Sequence, residues 1–234
     1  MNKEDIKQAL TFLKASAKKR KFSQKLDLIV NFCDLDLKNP EHQTDLFVSL
    51  PFERGRKIKV CAFVGPELAE QARSAMDVVV LHDQFPAYTR DPKKIKKLAE
   101  ECSFFVAQAN IMPDVAKTFG RVLGPRNKMP NPKAGCVVPP NANLGVLVQK
   151  LRNTVRVIAK TQLCFKTIVG DEKSNDDQVA ENILAIISAL SHSLPAEEKN
   201  IRSVMLKLTM SAPVIIGKLP KNEKDKNEKD GKQQ

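Results

Sequence analysis

Hydrophobic periodicity predicts an α+β domain built from both ends of the chain, with an α/β unit inserted between them. Near each end apolar residues alternate with polar ones, at Leu26, Leu28, Val30 and Phe32 and again at Val204, Leu206 and Leu208, the pattern of strands with one buried face. In the middle, short runs that are apolar throughout alternate with helical stretches, which indicates a parallel sheet covered on both sides. The chain has 234 residues, 42% of them hydrophobic, enough for one large or two small domains with packed cores.

Asn2 is placed to cap a first helix, with Glu4 and Asp5 in its first turn and Ile6, Leu10, Leu13 and Ala17 at helical spacing. The basic run Lys18, Lys19, Arg20 and Lys21 is expected to end it. A strand from Lys25 to Phe32, a turn at Asn39-Pro40 and a second strand through Leu46, Val48 and Leu50 follow. From Ile58 the pattern changes to strand Ile58–Val64, helix Glu67–Ala75, strand Val78–Leu81, helix Lys93–Glu101, strand Phe104–Ala107 and helix Asp114–Leu123. A Pro- and Gly-rich segment, Gly124–Pro140, precedes a helix at Leu144–Leu151. Alternation resumes at Val155, Val157 and Ala159 and in Leu163–Val169. A long helix opens at Asp176 and Asp177 and is broken by Pro195; a last strand runs from Ile201 to Met210. In that strand Ser203, Met205, Lys207 and Thr209 would share the face opposite Val204, Leu206 and Leu208. The expected boundaries are 1–64 plus 156–217 for the terminal domain and 65–155 for the insertion. Residues 218–234, which repeat Asn-Glu-Lys-Asp without apolar support, read as a disordered Lys-rich tail.

Lys and Arg number 39 against 27 Asp and Glu, a formal net charge of +12. Such an excess attracts polyanions, phosphate backbones before acidic membrane surfaces. The charge is also segregated: Val115–Gly170 contains no acid, while Lys117, Arg121, Arg126, Lys128, Lys133, Lys150, Arg152, Arg156, Lys160 and Lys166 are basic. Arg54, Arg56, Lys57 and Lys59 form a further cluster. Solvated faces are the bland alternative, but an acid-free stretch spanning turns, strands and a helix favours a positive field with a nucleic-acid partner. With no Trp, one Tyr and eleven Phe, recognition dominated by aromatic stacking platforms is disfavoured.

Other chemistries find little support. The five cysteines are widely spaced, four of them in apolar strand-like runs, so buried reduced thiols are expected rather than a metal site. His42, His82 and His192 have no recognisable nucleophile or metal partner. Gly65-Pro66 is not a dinucleotide-binding fingerprint, and Gly124–Lys133 lacks the phosphate-loop pattern, so a rigid turn is the expected role of that loop. No cofactor, catalytic residue or small-molecule substrate is expected. The N-terminus is charged from Lys3 to Asp5 with no apolar segment after it, and no apolar run reaches the length of a membrane span. The cytosol is therefore the expected location. The alternative from another class is an enzyme using the central α/β unit for a nucleotide cofactor.

Three passages carry a resemblance. Arg20-Lys21-Phe22-Ser23-Gln24 leads into the first strand, Leu123-Gly124-Pro125-Arg126-Asn127-Lys128-Met129-Pro130-Asn131-Pro132-Lys133 forms the central loop, and Ala180-Glu181-Asn182-Ile183 is followed by Asn200-Ile201-Arg202-Ser203-Val204 and Thr209-Met210. In that order they resemble the universal large-subunit ribosomal stalk protein family, over about residues 3 to 217. The Asn39-Pro40-Glu41 turn and Lys-rich tail look closer to its archaeal members. The resemblance implies a split βαβ domain formed by both termini and an inserted Rossmann-like domain. It implies binding to stalk rRNA beside the exit-site tRNA, on the ribosome in the cytoplasm, and repression of translation through a similar structure on the protein's own mRNA. The implied RNA-binding residues are Lys21, Phe22, Ser23, Gln24, Lys25, Lys166, Gly170, Ser203, Lys207, Thr209, Met210 and Ser211. The residues themselves leave two alternatives open: Phe22 is either a core anchor at the helix exit or RNA-facing, and Thr209-Met210 either ends a strand or touches RNA. Three positions depart from the family pattern: Ser211 stands for Gly, Phe52-Glu53 for His-Gly, and Lys25 for Thr or Ser.

Overall fold

The computed structural model describes residues 2–18, 20–39, 42–55 and 57–217. The expectations for Lys19, Pro40, Glu41, Arg56 and the tail from residue 218 lie outside them. The chain divides into two compact units, one made of the segments up to Arg56 and from Val155 onward, the other spanning Lys57–Thr154. The strand assigned from sequence to the terminal domain at its 1–64 boundary therefore belongs to the central unit.

The terminal unit contains helix α1 (Lys3–Ser16), strands β1 (Lys25–Phe32) and β2 (Thr44–Ser49), and, after the insertion, β7 (Thr154–Ala159), β8 (Cys164–Asp171), helix α7 (Asp176–Ser193), β9 (Ile201–Leu208) and β10 (Val214–Ile215). Four strands form one antiparallel sheet in the order β10-β9-β1-β8, and β2 pairs with β7. β1 lies between β8 and β9, so the two ends of the chain are inseparable parts of one sheet. α1 and α7 pack on each other and on this sheet, and Ile6, Leu10, Leu13, Leu26, Leu28, Val30, Ile183, Ile186, Leu206 and Leu208 form its core. Lys3, Lys7 and Lys14 of α1 pair with Glu181, Asp177 and Asp176 of α7 and set the two helices antiparallel.

Several details correct the sequence reading. α1 stops at Ser16, where Ala17 turns extended, so Lys18 and Arg20 lie beyond the helix rather than in its last turn. Asn2 occupies the N-cap but its side chain makes no capping bond, whereas Asn175 caps α7 by accepting from the Asp177 N–H. β9 ends at Leu208, and Thr209–Ser211 form a turn that returns the chain as β10. Gly170 packs tightly under α7: a Cβ there would sit 2.7 Å from Cγ2 of Val179, so a larger residue would force that side chain or the helix to shift. Asn182, buried in α7, donates to the Val169 carbonyl and accepts from the Phe52 N–H (both 3.1 Å), tying two backbone segments to the helix.

The central unit is a parallel sheet in the order β4-β3-β5-β6, from β3 (Val60–Val64), β4 (Val78–Leu81), β5 (Phe104–Gln108) and β6 (Val137–Val138). α2 (Ala69–Ala75) and α6 (Leu144–Asn153) pack together beside β3; α3 (Phe85–Arg90), α4 (Pro92–Glu101) and α5 (Met112–Leu123) form a second helical group. All five residues of β3 are buried, as a strand covered on both faces requires. Phe63 lies against Phe85, Phe105 and Phe119, with ring centroids 4.5–6.0 Å apart. α3 and β6 have no counterpart in the sequence reading.

Candidate nucleic-acid interface

Antiparallel register places residues that face one another across strands on the same side of a sheet. On the face of the terminal sheet away from Leu26, Leu28 and Val30, this produces four rungs. They are Asp171–Lys25, Ile168–Asp27–Lys207, Lys166–Ile29–Met205 and Cys164–Asn31–Ser203. The first rung continues into the segment before β1 and the turn after β9, where most of the predicted residues converge.

Two chain segments more than 180 residues apart clasp each other there. The Lys25 N–H donates to Thr209 Oγ1 (3.0 Å) and the Thr209 N–H donates to the Lys25 carbonyl (3.1 Å). The Met210 N–H donates to Gln24 Oε1 (3.3 Å), and the Gln24 side-chain amide donates to the Lys18 carbonyl (3.4 Å). Gln24, expected to face RNA, is 1% exposed and instead holds the clasp from within. Its neighbours project outward: Phe22 is 51% exposed and Met210 61%. Exposed apolar side chains of that size on adjacent segments are the unusual feature, since neither completes the core. The alternative of Phe22 as a core anchor is thereby excluded, and Met210 is not core.

The charges divide into engaged and unengaged sets. Lys25 Nζ contacts Asp171 Oδ2 (2.7 Å) and donates to the Gly55 carbonyl (2.6 Å); Ser23 Oγ donates to Asp171 Oδ1 (2.8 Å). Burial pulls the Asp171 carboxyl upward, but its bonds from Lys25 and Ser23 outweigh this and hold it below the usual carboxylate range. Lys166 reaches Asp27 (3.1 Å), which explains how Asp27 can be buried in the middle of a strand. Lys18, Arg20, Lys21 and Lys207, by contrast, make no ion pair among the described residues. Two of the acids at this surface, Asp171 and Asp27, thus fix lysines in place. A third, Glu172, accepts from the Gln24 N–H (3.3 Å), and the remaining cations outnumber it in setting the outward field.

Three other predicted positions behave differently from expectation. Ser203 lies three rungs from Lys25, roughly 20 Å away by strand rise, and accepts a hydrogen bond from Asn31 Nδ2 (3.0 Å). It is on the same face as Lys207 but not in the clasp, and Thr209 is on the turn rather than on that strand face. Gly170 is buried against α7, so its requirement for glycine comes from helix packing and not from an approaching ligand. Ser211 directs its hydroxyl inward to accept from the Leu208 N–H (2.8 Å), closing the turn, and its φ is not positive. The backbone there does not need glycine.

The central loop is a helix-capping device. Lys128 Nζ donates to the carbonyls of Ala99 (2.6 Å) and Cys102 (2.8 Å) at the end of α4. The N–H groups of Asn127, Lys128, Ala134, Gly135 and Cys136 all donate to carbonyls of residues 123–132. A phosphate cradle requires such groups to be free. After β3, the Gly65 N–H is likewise taken by Gln108 Oε1 (3.0 Å). Of the cysteines, Cys61, Cys102 and Cys136 are buried, while Cys33 is half-buried and Cys164 exposed, contrary to the expectation of general burial. No group of three or more His, Cys, Asp or Glu able to hold a metal occurs among the described residues, and no helix among them is long and apolar enough to cross a membrane.

Sequence comparison agrees with the resemblance. Residues 13–212 match the model of the Ribosomal protein L1p/L10e family. The chain is 40% identical to the large ribosomal subunit protein uL1 of Methanothermococcus thermolithotrophicus, over 93% of this chain and all of that one. It is 41% identical to the uL1 of Nanoarchaeum equitans over 85% and 93% of the two chains, and 34% identical to that of Thermoplasma acidophilum over 92% and 97%. The ends that meet in one sheet and the central loop that caps α4 are thus parts of a single shared pattern, and the chain belongs to the Ribosomal protein L1p/L10e family.

Proposed function

We propose that this chain is a non-catalytic constituent of the large ribosomal subunit that grips stalk rRNA through its terminal, split βαβ unit. The observation that carries the reading is the clasp: residues 22–25 and 209–210 bind each other through backbone and side chain, leaving exposed Phe22 and Met210 near cations that make no ion pair among the described residues. Such a surface suits RNA recognised through phosphate, sugar and shape, with two apolar side chains packing on ribose or base edges. Lys21, Phe22, Lys207, Thr209 and Met210 are its contact residues; Ser23, Gln24, Lys25 and Ser211 position them. Lys166 and Ser203 extend it along the open face. The Rossmann-like central unit carries no part of this contact.

From the family resemblance we add location on the cytoplasmic ribosome beside exit-site tRNA, a role in release of deacylated tRNA, and repression of the protein's own mRNA through the same surface. Competition between stalk rRNA and leader mRNA for one protein site tests the last. The primary test is binding of a stalk rRNA fragment, compared with thermal stabilisation by ATP, NAD or S-adenosylmethionine. Tight, salt-sensitive binding of the fragment is expected. Stabilisation by a cofactor without RNA binding would favour the enzyme reading and overturn this one.

A further inference from the structure

We infer that the groove between the end of α1 and the β9–β10 turn is a subsite for one unpaired nucleotide of the bound RNA; the inference rests on the RNA-binding reading above. The groove has a volume of about 570 Å³, within the range of small-ligand sites. Phe12, Ala17, Met210 and Pro213 supply apolar walls, and the exposed cations Lys18 and Arg20 line it as well. An aromatic ring, a thioether and a proline ring against neighbouring cations suit a base with its attached phosphate.

Two comparisons favour that occupant. The groove under Lys166 includes Asp27, and the one beside α3 and α5 includes Asp83 and Asp114. Among the described residues no acid lines the α1 groove, so of the three it is the one suited to a polyanion. It is also continuous with the clasp, because Gln24, Met210 and Ser211 belong to both. The apolar walls suit the face of a base that is not stacked on its neighbours, and RNA bases are read by protein side chains when splayed out of the helix, so the occupant is an unpaired nucleotide.

The test uses the whole protein and a stalk rRNA fragment in which each unpaired position is made abasic in turn, or replaced by 2-aminopurine. 2-Aminopurine is excited to the red of Trp and Tyr absorption, so its emission is readable with the wild-type protein and with a Trp variant alike. The blocking variant is Ala212→Trp, at an exposed position lining the groove. At one unpaired position, loss of the base should weaken binding to the wild-type protein by about ten- to a hundredfold and hardly change binding to Ala212→Trp. The probe at that position should respond to the wild-type protein alone. If every abasic fragment binds the wild-type protein as the intact one does, or the loss is equal in both proteins, the subsite is refuted while RNA binding stands. Failure of the intact fragment to bind overturns both readings.

Discussion

Lys207 and Lys25 stand one rung apart on the same sheet face, and sequence reasoning gives them the same role. The structure separates them. Lys25 is already engaged by Asp171 at 2.7 Å and the Gly55 carbonyl at 2.6 Å, whereas Lys207 makes no ion pair among the described residues. Removing a lysine that neutralises one RNA phosphate lowers the log–log slope of affinity against salt by roughly 0.7 to 0.9. Over a fourfold rise in salt, between about 50 and 200 mM, that amounts to roughly a threefold difference in how far affinity falls. Lys207→Met should show this change. Replacing the engaged pair together, Lys25→Met with Asp171→Asn, leaves net charge unaltered and should leave the slope unchanged. The pair is half-buried and also holds the Gly55 carbonyl and Ser23, so replacing it costs about 1 to 3 kcal/mol, and a thermal melt checks that the double variant is folded in the binding assay. Filter binding of a stalk rRNA fragment across a KCl series measures both slopes. Equal slopes for wild type and Lys207→Met, or a drop for the double variant as large as for Lys207→Met, would refute the division into engaged and unengaged cations.

Four further outcomes follow from named contacts. Arg156 and, secondarily, Lys160 hold the Asp45 carboxyl at about 2 against the cost of burial. A depressed carboxylate stabilises the fold above its unfolded value, so roughly 1 to 2 kcal/mol should be lost between about pH 4 and 2, and Asp45→Asn should abolish that part of the acid titration in denaturant melts. Gly170→Ala should destabilise the terminal unit by about 1 to 3 kcal/mol through overpacking on Val179, with recovery by Val179→Ala and no change in RNA affinity while folded. Lys128→Met removes two charge-assisted bonds from the end of α4 and should cost about 1 to 3 kcal/mol, read as faster hydrogen exchange in the last turn of that helix. A thiol reagent should modify exposed Cys164 first, while Cys136, whose burial pushes its thiol up to about 11, reacts only on unfolding.

The strands and longer helices are legible in the sequence because each satisfies its period on its own residues. Val78–Leu81 has the expected bounds, and α7 opens at Asp176 as its acidic first turn implies. What fails to show is whatever depends on a partner remote in sequence or on too few residues. α3 has six residues and β6 and β10 two each, too short for a period to register. Gln24 reads as a polar surface residue because its partners, the Met210 N–H and the Lys18 carbonyl, belong to other segments. The end of β9 is hidden for the same reason: Thr209 continues the alternation, but Ser211 takes the Leu208 N–H and turns the chain back. That turn separates Ser203 from Thr209, which the alternation had placed on one face. Gly170 is the clearest case of a residue whose chemistry belongs to packing: its importance is visible in the sequence, but the neighbour it accommodates is not.

The position of β1 also dictates when the clasp can exist. β1 is complete in its central place only when β8 and β9 flank it, and both are encoded after the whole central unit. Until then its two edges lack their ladder partners, and Lys25 lacks Asp171, Thr209 and the turn that exposes Met210. The central unit has no such dependence, since its strands pair only with one another within Lys57–Thr154. A contiguous unit with short loops closes at lower entropic cost than pairings across more than 130 residues. The topology therefore predicts that the clasp assembles last, read in refolding as later hydrogen-exchange protection of Lys25 and Thr209 than of β3 and β5. Equal or earlier protection of the clasp would refute the order. By the same dependence, an N-terminal fragment carrying Lys21 and Phe22 alone has the cations and the ring but no surface to hold them in register.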